Sequence, residues 1–140
     1  MSRTKVKTIS KELRKFIPTS HAENPALTEN APEIENRPLI FFYKLMTREH
    51  RYNLRGLLNI SKGFKEDLPT ITNVGTAARY VFENCVIMVK NVLLDDEQLE
   101  SCEGDVKDGL FDSKGMEAEI TECIKHIQEE SNLDEVEAKN

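Results

Sequence analysis

The side chains best equipped for chemistry fall into two groups: Cys102, Cys123 and His126 towards the end of the chain, and the cluster TREHR from Thr47 to Arg51. Cys123 and His126 stand three apart, so a helix sets them on neighbouring positions from which both reach one metal ion. A structural zinc site takes four ligands, and no fourth is placed by spacing. Cys123 also continues an apolar stripe, where a free thiol behaves as a small hydrophobe. The expectation is no metal and no cofactor. In TREHR, Glu49 and His50 are adjacent and point apart on a helix, so no carboxylate-held histidine serves a nucleophile there. The cluster reads instead as a capped first turn, with Thr47 as N-cap and Glu49 favourable beside the freed amides.

Other chemistries lack their residues. Neither GxxxxGK[ST] nor GxGxxG occurs, and GDVKDG, Gly104 to Gly109, is acidic and repels a phosphate. The acidic stretch from Asp95 does not satisfy the carboxylate register of a calcium loop in any frame. His21 falls in a proline-rich segment. No catalytic residue is assigned, and a non-enzymatic protein is expected.

The bulk of the chain agrees with that. Its 140 residues suit one domain with a real core. Charged residues make up 31% and apolar types 39%, a soluble composition without an apolar run long enough to cross a bilayer. The opening MSRTKVKTIS is basic without an apolar core, so no secretory signal is expected. Three cysteines, odd in number and without CxxC spacing, fit reduced thiols. Charge is unevenly spread: residues 1–94 carry 15 Lys/Arg against 9 Asp/Glu, or +6, and residues 95–140 carry 4 against 16, or −12. The basic residues from Arg3 to Lys15, with the ridge Arg48, Arg51 and Arg55, define an alternative: a small regulatory nucleic-acid binder. The acidic third competes for those same cations, so nucleic acid is not the expected partner.

The elements that position these residues follow from pattern. TKVKTI (4–9) alternates like a short strand, and LIFFYKL (39–45), β-branched and aromatic, is the strongest strand. Between them, residues 18–38 hold four prolines and form a long irregular arm. A first helix opens at Thr47 and stops near Gly63. A second runs over 73–92, where Ala78, Val81, Phe82, Cys85, Met88, Val89 and Val92 make an apolar stripe. Residues 95–115 read as loop. A third, acidic helix spans 113–131, with a last turn over 133–138. The expected architecture is α+β: one or two short N-terminal strands followed by three helices. In segments, this is a basic strand plus arm (1–38), one globular domain (39–131) and an acidic tail or short helix (132–140). On the third helix, Ile120, Ile124, Ile127, Leu133 and Val136 are the candidate partner-binding residues, with Ile127, Leu133 and Val136 expected furthest out.

Three stretches, LMTREHRYNL, VFENCVIMVKNVLLDDEQL and ECIKHIQEESNLDEVEAKN, together give residues 39–140 a pattern that resembles the tail assembly chaperones of long-tailed bacteriophages. The resemblance implies a protein of the host cell cytoplasm, absent from the mature virion. Such a protein binds the long, largely helical tape measure protein, keeps it soluble and helps recruit tail tube subunits. Homo-oligomerisation is left open. The physical basis is an apolar strip ringed by carboxylates and offered to an amphipathic partner helix.

Overall fold

The computed structural model of the chain describes residues 12–58, 70–71 and 75–139, with 133–139 described by backbone alone. It is α+β, but not as expected. Instead of one or two strands and three helices, the described residues form a four-stranded antiparallel sheet and five α-helices. The expected strand at 4–9 and the helix stop at Gly63 lie outside the described residues.

Strands β1 (Arg14–Phe16), β2 (Ile40–Tyr43), β3 (Val86–Leu94) and β4 (Glu97–Glu103) pair in chain order, each antiparallel to the next. The apolar run at β2 takes an inner place in the sheet. Phe41 faces Phe16 on one side and Val89 on the other, and Val89 faces Cys102. Between β1 and β2 the arm contains a single helical turn, α1 (Thr19–Ala22), and a 3-10 turn, Ile34–Asn36. It is held down at both ends. Thr19 N donates to Glu122 Oε1 at 3.0 Å, and Leu39 N donates to His21 Nδ1 at 3.1 Å.

Helix α2 (Arg48–Leu57) starts where its cap predicts. Thr47 Oγ1 accepts from His50 N at 3.2 Å, and Thr47 N donates to His50 Nδ1 at 3.1 Å. The histidine thereby fills the reciprocal role that Glu or Gln plays in a capping box. The predicted helix over 73–92 is divided: α3 (Thr76–Cys85) passes into β3 at Val86 without a loop. The run Val86, Ile87, Val89 and Val92 is β-branched and favours the extended backbone. The abrupt change strands the carbonyls at the end of α3. Lys107, 4% exposed, meets them: its Nζ donates to Val86 O at 2.6 Å and to Phe82 O and Glu83 O at 3.3 Å each.

The predicted loop over 95–115 is also overturned. Asp95–Asp96 turn β3 back into β4, with Asp95 at φ 53°, a conformation that Asp tolerates better than most residues. Gly104, at φ 57°, then converts β4 into α4 (Gly104–Gly109) and a 3-10 turn, Leu110–Asp112. Finally α5 runs unbroken over Glu117–Lys139.

The helices share one core with one face of the sheet. Phe41, Tyr43, Val86, Val89 and Cys102 join Leu54, Val81, Phe82, Leu110 and the α5 residues Ile120, Cys123, Ile124 and Ile127 in one buried cluster. The spacing of those α5 residues, three, one and three, is that of one helix face. Two polar residues on the same helix are buried because they satisfy loop amides. Ser131 Oγ accepts from Met46 N at 3.0 Å, and Gln128 Oε1 accepts from Ile71 N at 2.8 Å.

Candidate functional site

Three of the five candidate partner-binding residues lie in the core. Ile120, Ile124 and Ile127 are each 0% exposed and pack into the core, so Ile127 is corrected from an outward to an inward position. Leu133 and Val136 lie in the last turns of α5, and their side chains fall outside the described residues. The three residues weighed as metal ligands, Cys102, Cys123 and His126, fall on different elements or in different contacts. Cys102 is buried on β4 and Cys123 on α5, while His126 stacks on Phe16 with ring centroids 4.6 Å apart. Among the described residues, no group of three His, Cys, Asp or Glu is placed to hold a metal.

Burial also quiets the thiols. It pushes the Cys85 thiol up to about 12 and Cys123 well above its usual range, and it raises Cys102. A thiol held neutral at physiological pH is a poor nucleophile. His50 has Nδ1 4.0 Å from Cys85 Sγ, but that same atom already accepts from Thr47 N.

Next to His126 is a part-buried network joining the two ends of the described chain. Arg14 Nη1 donates to Glu130 Oε2 at 2.8 Å, His126 Nε2 lies 3.7 Å from Glu130 Oε1, and the Tyr43 ring meets His126 edge-on. Burial first, and then the Glu130 carboxylate, push the Tyr43 phenol up to about 12. Arg51 Nη1 likewise donates to Asn132 Oδ1 at 2.6 Å. Two of the arginines considered for nucleic acid, Arg14 and Arg51, thus serve to dock β1 and α2 on α5.

The sheet has a second face, and alternation defines it. If Phe41, Val89 and Cys102 point to the helices, their neighbours point away. One outward row reads Lys15, Phe42, Met88, Glu103 across the four strands, and the next reads Ile40, Lys90, Ser101. Ile40 is buried yet stands outside the main cluster, as do Phe42 and Met88. The pairing slips by one residue between Phe42 and Tyr43, which leaves Ile87 as an extra residue 41% exposed. Lys90 lays its ammonium 5.4 Å from the centre of the Phe42 ring. The result is an accessible apolar centre of Phe42, Ile87 and Met88, with Ile40 buried beside it. Lys15 on β1 and Glu103 on β4 flank the Phe42–Met88 pair at its two ends, and Lys90 on β3 stands opposite Ile40 in the next row.

A cavity of about 190 Å³ opens on a different part of the surface, between the arm, β3 and the start of α5. Leu27, Ile34, Val92 and Met116 form apolar walls; His21, Arg37, Asn91 and Glu119 add polar groups. Asn91 stands at φ 63° and donates from Nδ2 to Pro38 O at 2.9 Å. Arg37 is committed to the arm, with Nε on Ala31 O at 2.6 Å and Nη2 on Pro32 O at 3.3 Å.

Comparison with known proteins finds no match. No protein-family model, no curated protein and no solved structure matches the chain. The candidate surfaces therefore stand on their geometry. Both the outward row and the arm cavity escaped the sequence reading. Period-two alternation in IFFY and VIMVK was the signal for the row, masked by the helical spacing read over 73–92.

Proposed function

We propose that the chain is a non-enzymatic tail assembly chaperone of the long-tailed phage type, which binds tape measure protein, keeps it soluble and helps recruit tail tube subunits. The observation that carries this reading is the outward sheet face. An antiparallel sheet often leaves one face to water, but that face is then polar. Here its accessible centre is Phe42, Ile87 and Met88, and α2, α3 and α5 pack on the opposite side. An amphipathic helix laid across this face would complete a helix–sheet–helix sandwich. Its apolar stripe would cover Phe42 and Met88, and its flanking charges would meet Lys15 and Glu103.

Two further features support a binding role over catalysis. The three thiols are buried and held protonated, and the histidines are engaged in capping, in stacking or with the Leu39 amide. The acidic exposed side of α5 keeps a complex with an apolar polypeptide in solution. The site thus moves from the α5 stripe, which is core, to the sheet.

Co-expression tests the proposal. A helical tape measure fragment should become soluble in the presence of the chain, and Phe42→Glu with Met88→Glu should abolish that effect while the circular dichroism spectrum is kept. A soluble fraction that does not depend on the chain counts against the function. A double variant as effective as the parent counts against the face.

A further inference from the structure

We infer that the outward face of the sheet pairs with the same face of a second copy of this chain, giving a weak, reversible two-fold dimer. The inference rests on the same reading of Phe42, Ile87 and Met88 as a docking surface, but not on the identity of any helical partner.

The order of charges across the strands selects this occupant. The row Lys15, Phe42, Met88, Glu103 crosses from β1 to β4 and reads positive, apolar, apolar, negative. A two-fold axis parallel to the strands, passing between β2 and β3, reverses that order in the second copy. Lys15 then stands over the second copy's Glu103, and Glu103 over its Lys15, the reciprocal pairing of a self-complementary interface. Phe42 stands over the second copy's Met88, and the reverse, which sets a thioether on each ring, a favourable contact. An axis running across the strands would instead set Lys15 on Lys15 and Glu103 on Glu103, so the charges fix the orientation. Packed sheets lie ~10 Å apart with strand directions within about 30° of each other, a gap that a Lys and a Glu side chain span together.

The groups that this pairing needs are accessible. Lys15, Ile87 and Glu103 are exposed, and Phe42 and Met88 are partly so. Lys15 also meets Glu29 at 3.1 Å, but both side chains are 47% exposed, and a surface pair of that kind contributes little and exchanges readily. Lys90, in the next row, keeps its ammonium over the Phe42 ring of its own chain. Size sets the strength. At ~3.3 Å per residue and ~4.8 Å per strand, the four strands offer a footprint of roughly 360 Å² per copy. A standard stable interface takes about 800 Å² from each partner, so this one belongs with transient contacts. A face released so readily stays open to a competing polypeptide.

Sedimentation equilibrium of the full chain at low salt over ~10–500 µM tests this, a range suited to a transient interface. The expected result is a reversible rise from the monomer mass towards twice that value, weakened by added salt. Lys15→Glu and Glu103→Lys should each weaken self-association by roughly tenfold, because each turns both cross-pairs from attraction to repulsion. An equal mixture of the two variants should associate as the parent does, since every charge in the row then meets its opposite. Neither a misfolded variant nor an unspecific apolar contact gives that rescue. Met88→Glu should abolish association by itself, and serves if Lys15→Glu disturbs the arm through Glu29. A monomer at every concentration, single variants that associate like the parent, or a mixture of folded variants that stays monomeric would overturn the inference. A chain that dimerises yet leaves a tape measure fragment insoluble counts against the chaperone reading alone; a monomeric chain that solubilises the fragment counts against the dimer alone.

Discussion

Replacing Lys107 by Met removes the only side chain that closes the junction between α3 and β3 among the described residues. Methionine keeps the hydrocarbon stem over the Phe82 ring, whose centre lies 5.2 Å from Nζ, so packing changes little. What is lost is one short bond to Val86 O at 2.6 Å and two longer ones to Phe82 O and Glu83 O at 3.3 Å. A charge-assisted bond contributes about 1.5–3 kcal/mol, and buried carbonyls left without a donor cost about 1–3 kcal/mol each. Against that, the variant no longer buries an ammonium, which returns part of the loss. Asp108 offers only partial compensation in the parent. Its Oδ1 lies 2.6 Å from Nζ but forms no aligned hydrogen bond. The balance is a destabilisation of about 2–4 kcal/mol, or a fall of roughly 6–15 °C in Tm for a chain of this size. Urea unfolding measures it directly, as a lower midpoint at unchanged m. A midpoint equal to the parent's would refute the assignment of Lys107 as the cap that lets helix run straight into strand.

Further outcomes follow from the same structure. Thr47→Ala should cost about 1 kcal/mol, the usual value of an N-cap, and His50→Ala should add less when combined with it, because the two share one capping box. Ile124→Ala, at a fully buried position, should cost about 2–5 kcal/mol in urea unfolding, whereas Phe42→Ala on the outward row should cost clearly less. Alkaline stability gives a test of burial. Folding raises the Cys85 thiol from 9.0 to about 12 and the Tyr43 phenol from 10.0 to about 12, so the folded state holds protons that the unfolded state releases. Stability should therefore be unaffected by these groups below pH 9, fall as pH rises through 9 to about 12, and fall less steeply in Cys85→Ala. Native protein at pH 8 should react with a thiol reagent at Cys85 and Cys123 only at the rate of unfolding.

Several parts of this molecule were legible in the sequence because the signal is local. Thr47 announces a helix start whatever surrounds it, and IFFY announces a strand by residue type. The arm was legible through its prolines. The errors arise where local signals compete. Over 73–92 the apolar residues satisfy a helical period for ten residues, and the following VIMVKNVLL still places residues at three and four apart. Only the β-branched content separates strand from helix there, a distinction that periodicity cannot make. The turn at Asp95–Asp96 lacks the glycine that usually marks a two-residue hairpin, so β4 went unseen as well. The cap on α3 comes from Lys107, more than twenty residues downstream, and no pattern along the chain points to it. Ile127 was placed outward for a related reason: a stripe such as Ile120, Ile124 and Ile127 has the same spacing whether it meets the core or a partner, and only the sheet's position decides.

The outward sheet face is the claim on which the functional account rests, and it is tested most directly by co-expressing a helical tape measure fragment with the parent chain and with the Phe42→Glu, Met88→Glu double variant. The account predicts a soluble complex with the parent and an insoluble fragment with the variant, both chains giving the same circular dichroism. A fragment solubilised equally by both would contradict it.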